Sequence, residues 1–238
     1  MDLNRVNAIV TGGASGLGLA CVNRLKTLGA NVVSWDRQAP KNGHEIECDV
    51  RSQDSVERAL FSTMERINCP NVCIQCAGVA TAKRVVGKDG VQALTDFQNV
   101  IDINLTGSFN VLRLVAAAMI KHQQAGCFIL TASVAAFEGQ IGQAAYSASK
   151  GGIVAMTLPI AREFAKHHIR VNTIAPGIMD TPMMQAMPED VRASLADNVP
   201  YPHRLGLADE YAKLALHIIE NDYINAAIIR LDGALRMN

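Results

Sequence analysis

Eight residues near the N-terminus, Thr11-Gly12-Gly13-Ala14-Ser15-Gly16-Leu17-Gly18, restrict the fold of the whole chain more than any other stretch. The apolar run Asn7–Thr11 leads into them and reads as a short buried strand. A helix is expected after them to about Leu28, where Gly29 stops it, and Asn31–Trp35 reads as the next strand. The glycines therefore lie on a strand-to-helix turn. Without Cβ atoms the backbone can approach a pyrophosphate, and the helix N-terminus offers free N–H groups and the positive end of its dipole. The spacing is G-x-x-x-G-x-G rather than G-x-G-x-x-G, and glycine clusters most often serve tight turns. The β-turn-α frame is what points to a nucleotide. Asp36 ends the second strand about 20 residues beyond the turn, where a carboxylate takes the adenosine ribose hydroxyls. It would also repel a 2′-phosphate, which favours NAD over NADP. Arg37 works the other way, because a guanidinium there could receive that phosphate.

Further strands are expected at His44–Cys48, Asn71–Cys76, Cys127–Thr131, Arg170–Ile174 and Ala227–Leu231. Helices are expected at Arg51–Ile67, about Thr95–Lys121, Gln143–Ala165 and Asp209–Glu220, with a polar irregular stretch at Thr81–Gly90. This alternation implies an α/β chain: a single doubly wound Rossmann-type domain over residues 1–238, with a parallel seven-stranded sheet and helices on both faces. Its ligands should gather at the carboxyl ends of the strands. A length of 238 residues, 49% of them hydrophobic, suits one large core. Asp49 has two readings, a contact to an adenine amine or a cap for the helix that follows. Asn104 lies in a helix interior among Ile101, Ile103 and Leu105, where an amide is mildly unfavourable. It either bonds its own backbone or bends the helix to hold a water. Residues 179–202 carry four methionines (Met179, Met183, Met184, Met187) and repeated prolines, and are too long for an ordinary connection. They read as a mobile loop over an apolar substrate.

Charge narrows the partners. Lys+Arg and Asp+Glu both total 22, so the chain is neutral and a poor stand-alone binder of nucleic acid. No polybasic cluster would hold it on a membrane, and no apolar run approaches the roughly 18 residues of a span. Cys73 and Cys76, with Cys69 nearby, could suggest a metal or redox site. A strand would send the first two to opposite faces, and no second C-x-x-C or paired His follows. All six cysteines are therefore expected to be core thiols in a reducing compartment, with no metal. Met1–Arg5 runs straight into a strand without a signal-like apolar region. A soluble, cytoplasmic protein is expected, with an organellar matrix as the alternative.

The chemistry is concentrated between Ser133 and Lys150. Tyr146 and Lys150 are four apart, so a helix sends both side chains from one face, one turn apart. A phenol ordinarily titrates near pH ~10. A neighbouring ammonium favours the phenolate and lowers that value, making the tyrosine a general acid/base at an alcohol or carbonyl oxygen. Ser133 follows a buried strand and could hold the same oxygen. On their own a Tyr and a Lys at this spacing more often mean a packed ring and a solvated amine; the nucleotide turn in the same chain reverses that and favours catalysis.

Taken together, Thr11–Gly18, Ala77-Gly78, Asn104, Ser133, Tyr146-Ser-Ala-Ser-Lys150 and Pro176-Gly177 resemble the short-chain dehydrogenase/reductase superfamily over the whole chain. Thr131–Gln140, Gly151–Val154 with Met156–Arg162, and Ile229–Ala234 are similar to the type-2 3-hydroxyacyl-CoA dehydrogenases, also called type-10 17β-hydroxysteroid dehydrogenases. That resemblance implies an NAD-dependent homotetramer oxidising short 3-hydroxyacyl-CoA thioesters, 2-methyl-branched ones included. It makes Tyr146 the general acid/base, with Lys150 lowering its pKa and binding the nicotinamide ribose. Ser133 would hold the substrate oxygen, Asn104 a relay water, and Gln143 the thioester. For the cofactor it implies Gly12, Ser15, Gly16, Leu17 and Gly18 at the pyrophosphate, Asp36 at the ribose, and Asp49 and Val50 at adenine. Cys76, Ala77, Gly78, Pro176, Gly177 and Ile178 would complete the walls, and Thr181 would reach the carboxamide. One departure stands out: Gln75-Cys76-Ala77-Gly78 replaces the frequent Asn-Asn-Ala-Gly, and the longer Gln75 should alter packing beside the adenosine. The alternatives are a 3-oxoacyl-thioester reductase acting on carrier protein, a hydroxysteroid dehydrogenase, or, in a different class, a non-catalytic scaffold subunit.

Overall fold

The computed structural model describes residues 1–38, 45–88, 90–185 and 187–237. His44, the expected start of the third strand, lies outside them. Among the described residues the main sheet has seven strands: β1 (Asn7–Thr11), β2 (Asn31–Asp36), β3 (Glu45–Glu47), β4 (Val72–Gln75), β5 (Gly126–Thr131), β6 (Ile169–Pro176) and β7 (Ile228–Leu231). The longer helices are α1 (Gly16–Thr27), α2 (Gln53–Ile67), α3 (Leu94–Ile101), α4 (Gly107–Lys121), α5 (Ala144–Phe164), α6 (Glu189–Asp197) and α7 (Ala208–Glu220). The strands form one sheet in the order β7-β6-β5-β4-β1-β2-β3, and every neighbouring pair is parallel. The expected doubly wound α/β fold is thus borne out. Winding runs outward from β1 through β3, then reverses to set β4 on the other side of β1. The connections diverge at that reversal and leave a crevice above β1 and β4.

The alternation of strand side chains builds two cores. Ile9, Val33, Cys73, Phe128 and Val171 face α2, α4 and α5, meeting Leu60, Leu112, Val115, Met119, Ile153 and Phe164. Ala8, Val10, Val32, Ile74 and Ile129 face the other way, against Val22 and Leu25 of α1 and Tyr211, Ile218 and Ile219 of α7. Each fully buried large aliphatic or aromatic side chain contributes about 1.5–3 kcal/mol. Cys73 and Cys76 fall on opposite layers, as strand geometry requires.

One expected helix is divided. Thr95–Lys121 is not continuous: α3 and α4 flank a π-helical turn, Asp102–Thr106. The extra residue turns Asn104 into the interior, where it is fully buried. Its Oδ1 accepts from Val79 N at 2.9 Å, and its Nδ2 donates to Val79 O at 2.9 Å and Ser149 Oγ at 3.1 Å. The carbonyl of Asn104 accepts the Ser108 hydroxyl at 2.7 Å. The side chain therefore clamps a distant loop rather than its own helix. By length and composition alone Leu94–Lys121 could cross a membrane. Its residues Val111, Leu112, Val115, Ala116 and Met119 pack in the core under the sheet instead.

Two connections carry structure of their own. Val86–Gly87 pairs antiparallel with Gly90–Val91 in the stretch expected to be irregular. After β6, Met179–Asp180 pairs in parallel with Gly206–Leu207. Between them lie a helical turn, Pro182–Gln185, and α6.

Candidate active site

The carboxyl ends of the central strands open on one cavity of about 540 Å³, within the roughly 300–1,000 Å³ of small-molecule sites. Its walls bring together nearly every residue singled out in the sequence. Gly12, Ser15, Gly16, Leu17 and Gly18 come from the turn after β1, Asp36 from the end of β2, and Asp49 and Val50 from the loop after β3. Cys76, Ala77 and Gly78 follow β4, Ser133 follows β5, and Pro176, Gly177, Ile178 and Thr181 come from the end of β6 and beyond. Gln143, Tyr146 and Lys150 reach in from the start of α5. Asn104 stands outside this lining, behind Val79 and Ser149.

The glycine turn is shaped by close backbone packing. Gly12 has φ +65°, and a Cβ there would sit 2.8 Å from Ala77 N. A Cβ on Gly18 would sit 2.3 Å from Gly12 O, so α1 can meet the turn only without a side chain. Ser15 is the N-cap residue of α1 but makes no side-chain capping bond. At the other end of the cavity Asp36 is held by two backbone amides: Oδ2 accepts from Ala14 N at 3.2 Å and Oδ1 from Gln38 N at 3.1 Å.

Two expectations need correction. Asp49 does not cap α2, because Ser52 does, its Oγ accepting from Ser55 N at 3.2 Å. Asp49 is instead clasped by Arg51, whose Nη2 lies 2.6 Å from Oδ2, and that pairing holds its carboxyl below the usual range. Gln75 does not reach the cavity beside the adenosine position. Its buried side chain (3% exposed) points into the core, beside the Cys73 thiol.

At the chemical end, Ser133 lines the cavity with Tyr146, close enough to favour the charged phenol, and its Oγ accepts from Ala135 N at 3.2 Å. Lys150 Nζ lies 5.8 Å from the Tyr146 ring centroid and donates to Thr131 O at 2.7 Å. Ser149 Oγ donates to the Tyr146 carbonyl at 2.7 Å, so Asn104 is tied through Ser149 to the tyrosine's helix. Gln143 precedes α5 and lines the cavity, with Oε1 accepting from Gln140 N at 2.9 Å.

Sequence reasoning missed three participants. Thr131, whose carbonyl anchors Lys150, was marked only by ending a strand. Ser149 was hidden inside the Tyr146–Lys150 motif. Met237 lines the cavity from the far end of the chain, brought there by a paired Arg230–Glu138 contact at 2.8 and 3.1 Å and by its own amide on Glu138 Oε2 at 3.2 Å. No local signal marks it.

Comparison with known proteins agrees with this arrangement. The short chain dehydrogenase family matches residues 6–192. The chain belongs to the short-chain dehydrogenase family. It is 50% identical to a Bos taurus protein named 3-hydroxyacyl-CoA dehydrogenase type-2, over 97% of this chain and 95% of that one. It is 33% identical to the 3-oxoacyl-[acyl-carrier-protein] reductase MabA of Mycobacterium tuberculosis, over 97% and 93%. The crystal structure of a 3-hydroxyacyl-CoA dehydrogenase type-2 from Mycobacterium avium superposes with a TM-score of 0.89 at 39% identity, covering 97% of this chain and 96% of that one.

Members of the short-chain dehydrogenase family typically use NAD(P), and this cavity fits such a dinucleotide. The glycine turn leaves room for a pyrophosphate at an α1 N-terminus that no side chain caps. Asp36 is fixed where a ribose would lie.

The electrostatics of this dehydrogenase differ from the simple expectation in one respect. Burial pushes the Tyr146 phenol above its usual value, against the Ser133 hydrogen bond, which lowers it. Lys150 was expected to lower it; here the ammonium is spent on the Thr131 carbonyl and burial wins. Burial also brings Lys150 from 10.5 down to about 8, opposed by Cys76. Between those two values the unfolded chain holds a proton that the folded one has released. Stability should therefore rise with pH across that window. Urea unfolding of the parent and of Lys150→Met at pH 8 and 10 should show the parent gaining relative to the variant. An unchanged difference would mean that Lys150 is charged in the folded state throughout.

Proposed function

We propose that this chain is an NAD-dependent dehydrogenase that reversibly oxidises short 3-hydroxyacyl-CoA thioesters, 2-methyl-branched ones included, to 3-oxoacyl-CoA. The observation that carries this reading is the meeting of Ser133, Tyr146 and Lys150 at one end of the cavity, in a chain half identical to a relative named for that activity. Ser133 would hold the substrate hydroxyl, and Tyr146 Oη would accept its proton. Lys150, charged below about pH 8, would support the developing phenolate and bind the nicotinamide ribose. Asn104, acting through Ser149 and Val79, would keep the tyrosine's helix and the loop after β4 in register. When bound, the nicotinamide supplies the hydride acceptor. Thr181 would meet its carboxamide, and Gln143 the thioester. Met179, Met184, Met187 and Leu195 line the cavity and would cover the acyl chain and exclude water.

Asp36 supports NAD over NADP, because its carboxylate would take the ribose hydroxyls and repel a 2′-phosphate. The Arg37 guanidinium, which could receive a 2′-phosphate, lines the same cavity, so the preference rests on the Asp36 carboxylate. Assembly as a homotetramer belongs to the same reading. Leu94, Phe109, Leu158, Tyr223 and Ile228 are large apolar side chains exposed on one protomer, which association with further copies would cover. A cytoplasmic location is likewise proposed, on six cysteines that are all free.

Steady-state NADH formation with a short 3-hydroxyacyl-CoA, and acetoacetyl-CoA in reverse, tests the proposal, with NAD and NADP in parallel. Turnover with NAD well above NADP is expected, and Asp36→Ala should erode that preference in kcat/KM. Turnover only on carrier-protein thioesters, the activity named for the MabA relative, or only on hydroxysteroids would overturn the substrate assignment. An unchanged NAD/NADP ratio in Asp36→Ala would overturn the role given to the carboxylate.

A further inference from the structure

Two segments singled out in the sequence, Thr131–Gln140 and Ile229–Ala234, supply only Ser133 to the chemistry above. In the structure they are joined to each other. Arg230 of β7 grips the Glu138 carboxylate with Nη1 on Oε1 at 2.8 Å and Nη2 on Oε2 at 3.1 Å. Its Nε donates to Asp232 Oδ2 at 2.6 Å, and its guanidinium carbon lies 5.3 Å from the Phe137 ring centroid. Arg236 Nη1 adds a contact to Asp232 Oδ2 at 3.2 Å, and the Met237 amide donates to Glu138 Oε2 at 3.2 Å. The Arg230, Glu138 and Asp232 side chains are only 24%, 22% and 8% exposed, so water and salt screen them less than a surface pair. A bidentate pair also fixes orientation. The chain beyond β7 is thereby a strap, and Met237 is the residue it delivers to the cavity.

The end of the cavity that Met237 reaches follows from what the strap touches. Glu138 closes a turn that begins at Ser133: Ala136 N donates to Ser133 O at 3.0 Å, and Glu138 N to Val134 O at 3.0 Å. β7, the strand the strap leaves, stands at the opposite edge of the sheet from β3, whose loop holds Asp49 and Val50. The strap also packs on the base of the methionine-rich segment. There Tyr201 N donates to Gly233 O at 3.2 Å, and a Cβ on Gly233 would sit 2.4 Å from Tyr201 O. Met237 thus enters from the Ser133 side, with the segment that supplies Met184, Met187 and Leu195.

We propose that Met237 is the end wall that limits acyl length at this site, and that the Glu138–Arg230 pair holds it there.

This inference rests on the acyl-thioester reading above. An unbranched thioether fills irregular apolar space and packs well on an alkyl chain. A methionine near a chain end would ordinarily swing away, but here its backbone is fixed at Glu138. A short acyl chain stops against the side chain, and each further methylene must displace it. One methylene in an apolar pocket changes kcat/KM by about 10–200-fold. Met237→Ala removes Cγ, Sδ and Cε and opens that space, whereas Met237→Trp fills more of it. Glu138 is outside the cavity lining, so it is a positioning residue that acts through Met237.

The test compares kcat/KM for 3-hydroxybutyryl-CoA and 3-hydroxyoctanoyl-CoA at saturating NAD, with the full-length protein. The parent should favour the shorter ester. Met237→Ala should raise the octanoyl-to-butyryl ratio on the order of 10-fold, and Met237→Trp should lower it. Glu138→Ala should raise the ratio as Met237→Ala does. Glu138→Gln keeps an oxygen for the Met237 amide and should fall closer to the parent. Combining Met237→Ala with Glu138→Ala should add nothing further, because both remove the same wall. Arg230→Lys, which loses the bidentate grip, gives the same comparison should Glu138→Ala fail to fold, and calorimetric NAD affinity reports folding throughout. An unchanged ratio in both Met237 variants would overturn the end wall. Full additivity in the double variant would overturn the role of Glu138. A parent that oxidises neither ester fails the acyl-thioester reading and this inference with it. A parent active on the butyryl ester, with Met237 variants of unchanged ratio, fails this inference alone.

Discussion

Tyr146→Phe should leave a folded protein that binds the dinucleotide as before but turns over about 1,000-fold more slowly, within the range for loss of a positioned acid/base. The substitution removes one oxygen. The ring keeps its packing at the start of α5 and its place 5.8 Å from Lys150 Nζ. Ser133 loses the phenol but keeps the Ala135 amide. The binding surfaces at the glycine turn and at Asp36 are untouched. The loss should therefore fall on kcat, with KM and dinucleotide affinity close to the parent, the signature of an interaction made in the transition state. Steady-state kinetics and calorimetry on the purified variant measure both. A kcat within tenfold of the parent would remove Tyr146 from the proton path. A parallel loss of dinucleotide affinity would recast it as a structural residue.

Gly18→Ala should do the reverse, damaging binding and stability first. A methyl there would sit 2.3 Å from Gly12 O, 2.8 Å from Gly12 C and 3.0 Å from Gly13 Cα. All three are backbone atoms, so no side chain can swing aside. Overpacking of this kind costs about 1–3 kcal/mol, or roughly 2–12 °C in Tm for a chain of this size. The relief is a shift of α1 away from the turn, which carries the helix N-terminus off the pyrophosphate position. A displacement near 1 Å should weaken dinucleotide binding on the order of 100-fold. Thermal unfolding with and without NAD reports both effects. A lowered Tm with unchanged NAD affinity would show that the turn is a packing device and that the dinucleotide lies elsewhere.

Much of the fold was legible because its causes are local. Ile9 flanked by Ala8 and Val10, and Ile74 following Cys73, carry the alternation that sends one set of side chains to each face of a parallel strand. The four-residue step from Tyr146 to Lys150 places both on one helix face whatever surrounds them. Asn104 shows where local reading stops. Two outcomes were open for an amide inside a helix, and neither named its partners. Val79 lies 25 residues away and Ser149 45 residues away along the chain. Asp49 shows the same limit at shorter range. A cap was plausible three residues early, but Ser52 has the better geometry for Ser55 N, and Arg51 claims the carboxylate.

The sequence by itself determined the order of strands and helices, the glycine turn that opens the crevice and the residue types gathered around it. Those features follow from side-chain period and backbone freedom, which act over a few residues. Only the tertiary structure decided that Tyr146 is buried enough for desolvation to outweigh Lys150. It also decided that Lys150 spends a proton on Thr131 and that Met237 closes the cavity wall. Each of these depends on how elements remote in the chain pack together, and on the water that packing removes, which no local pattern encodes.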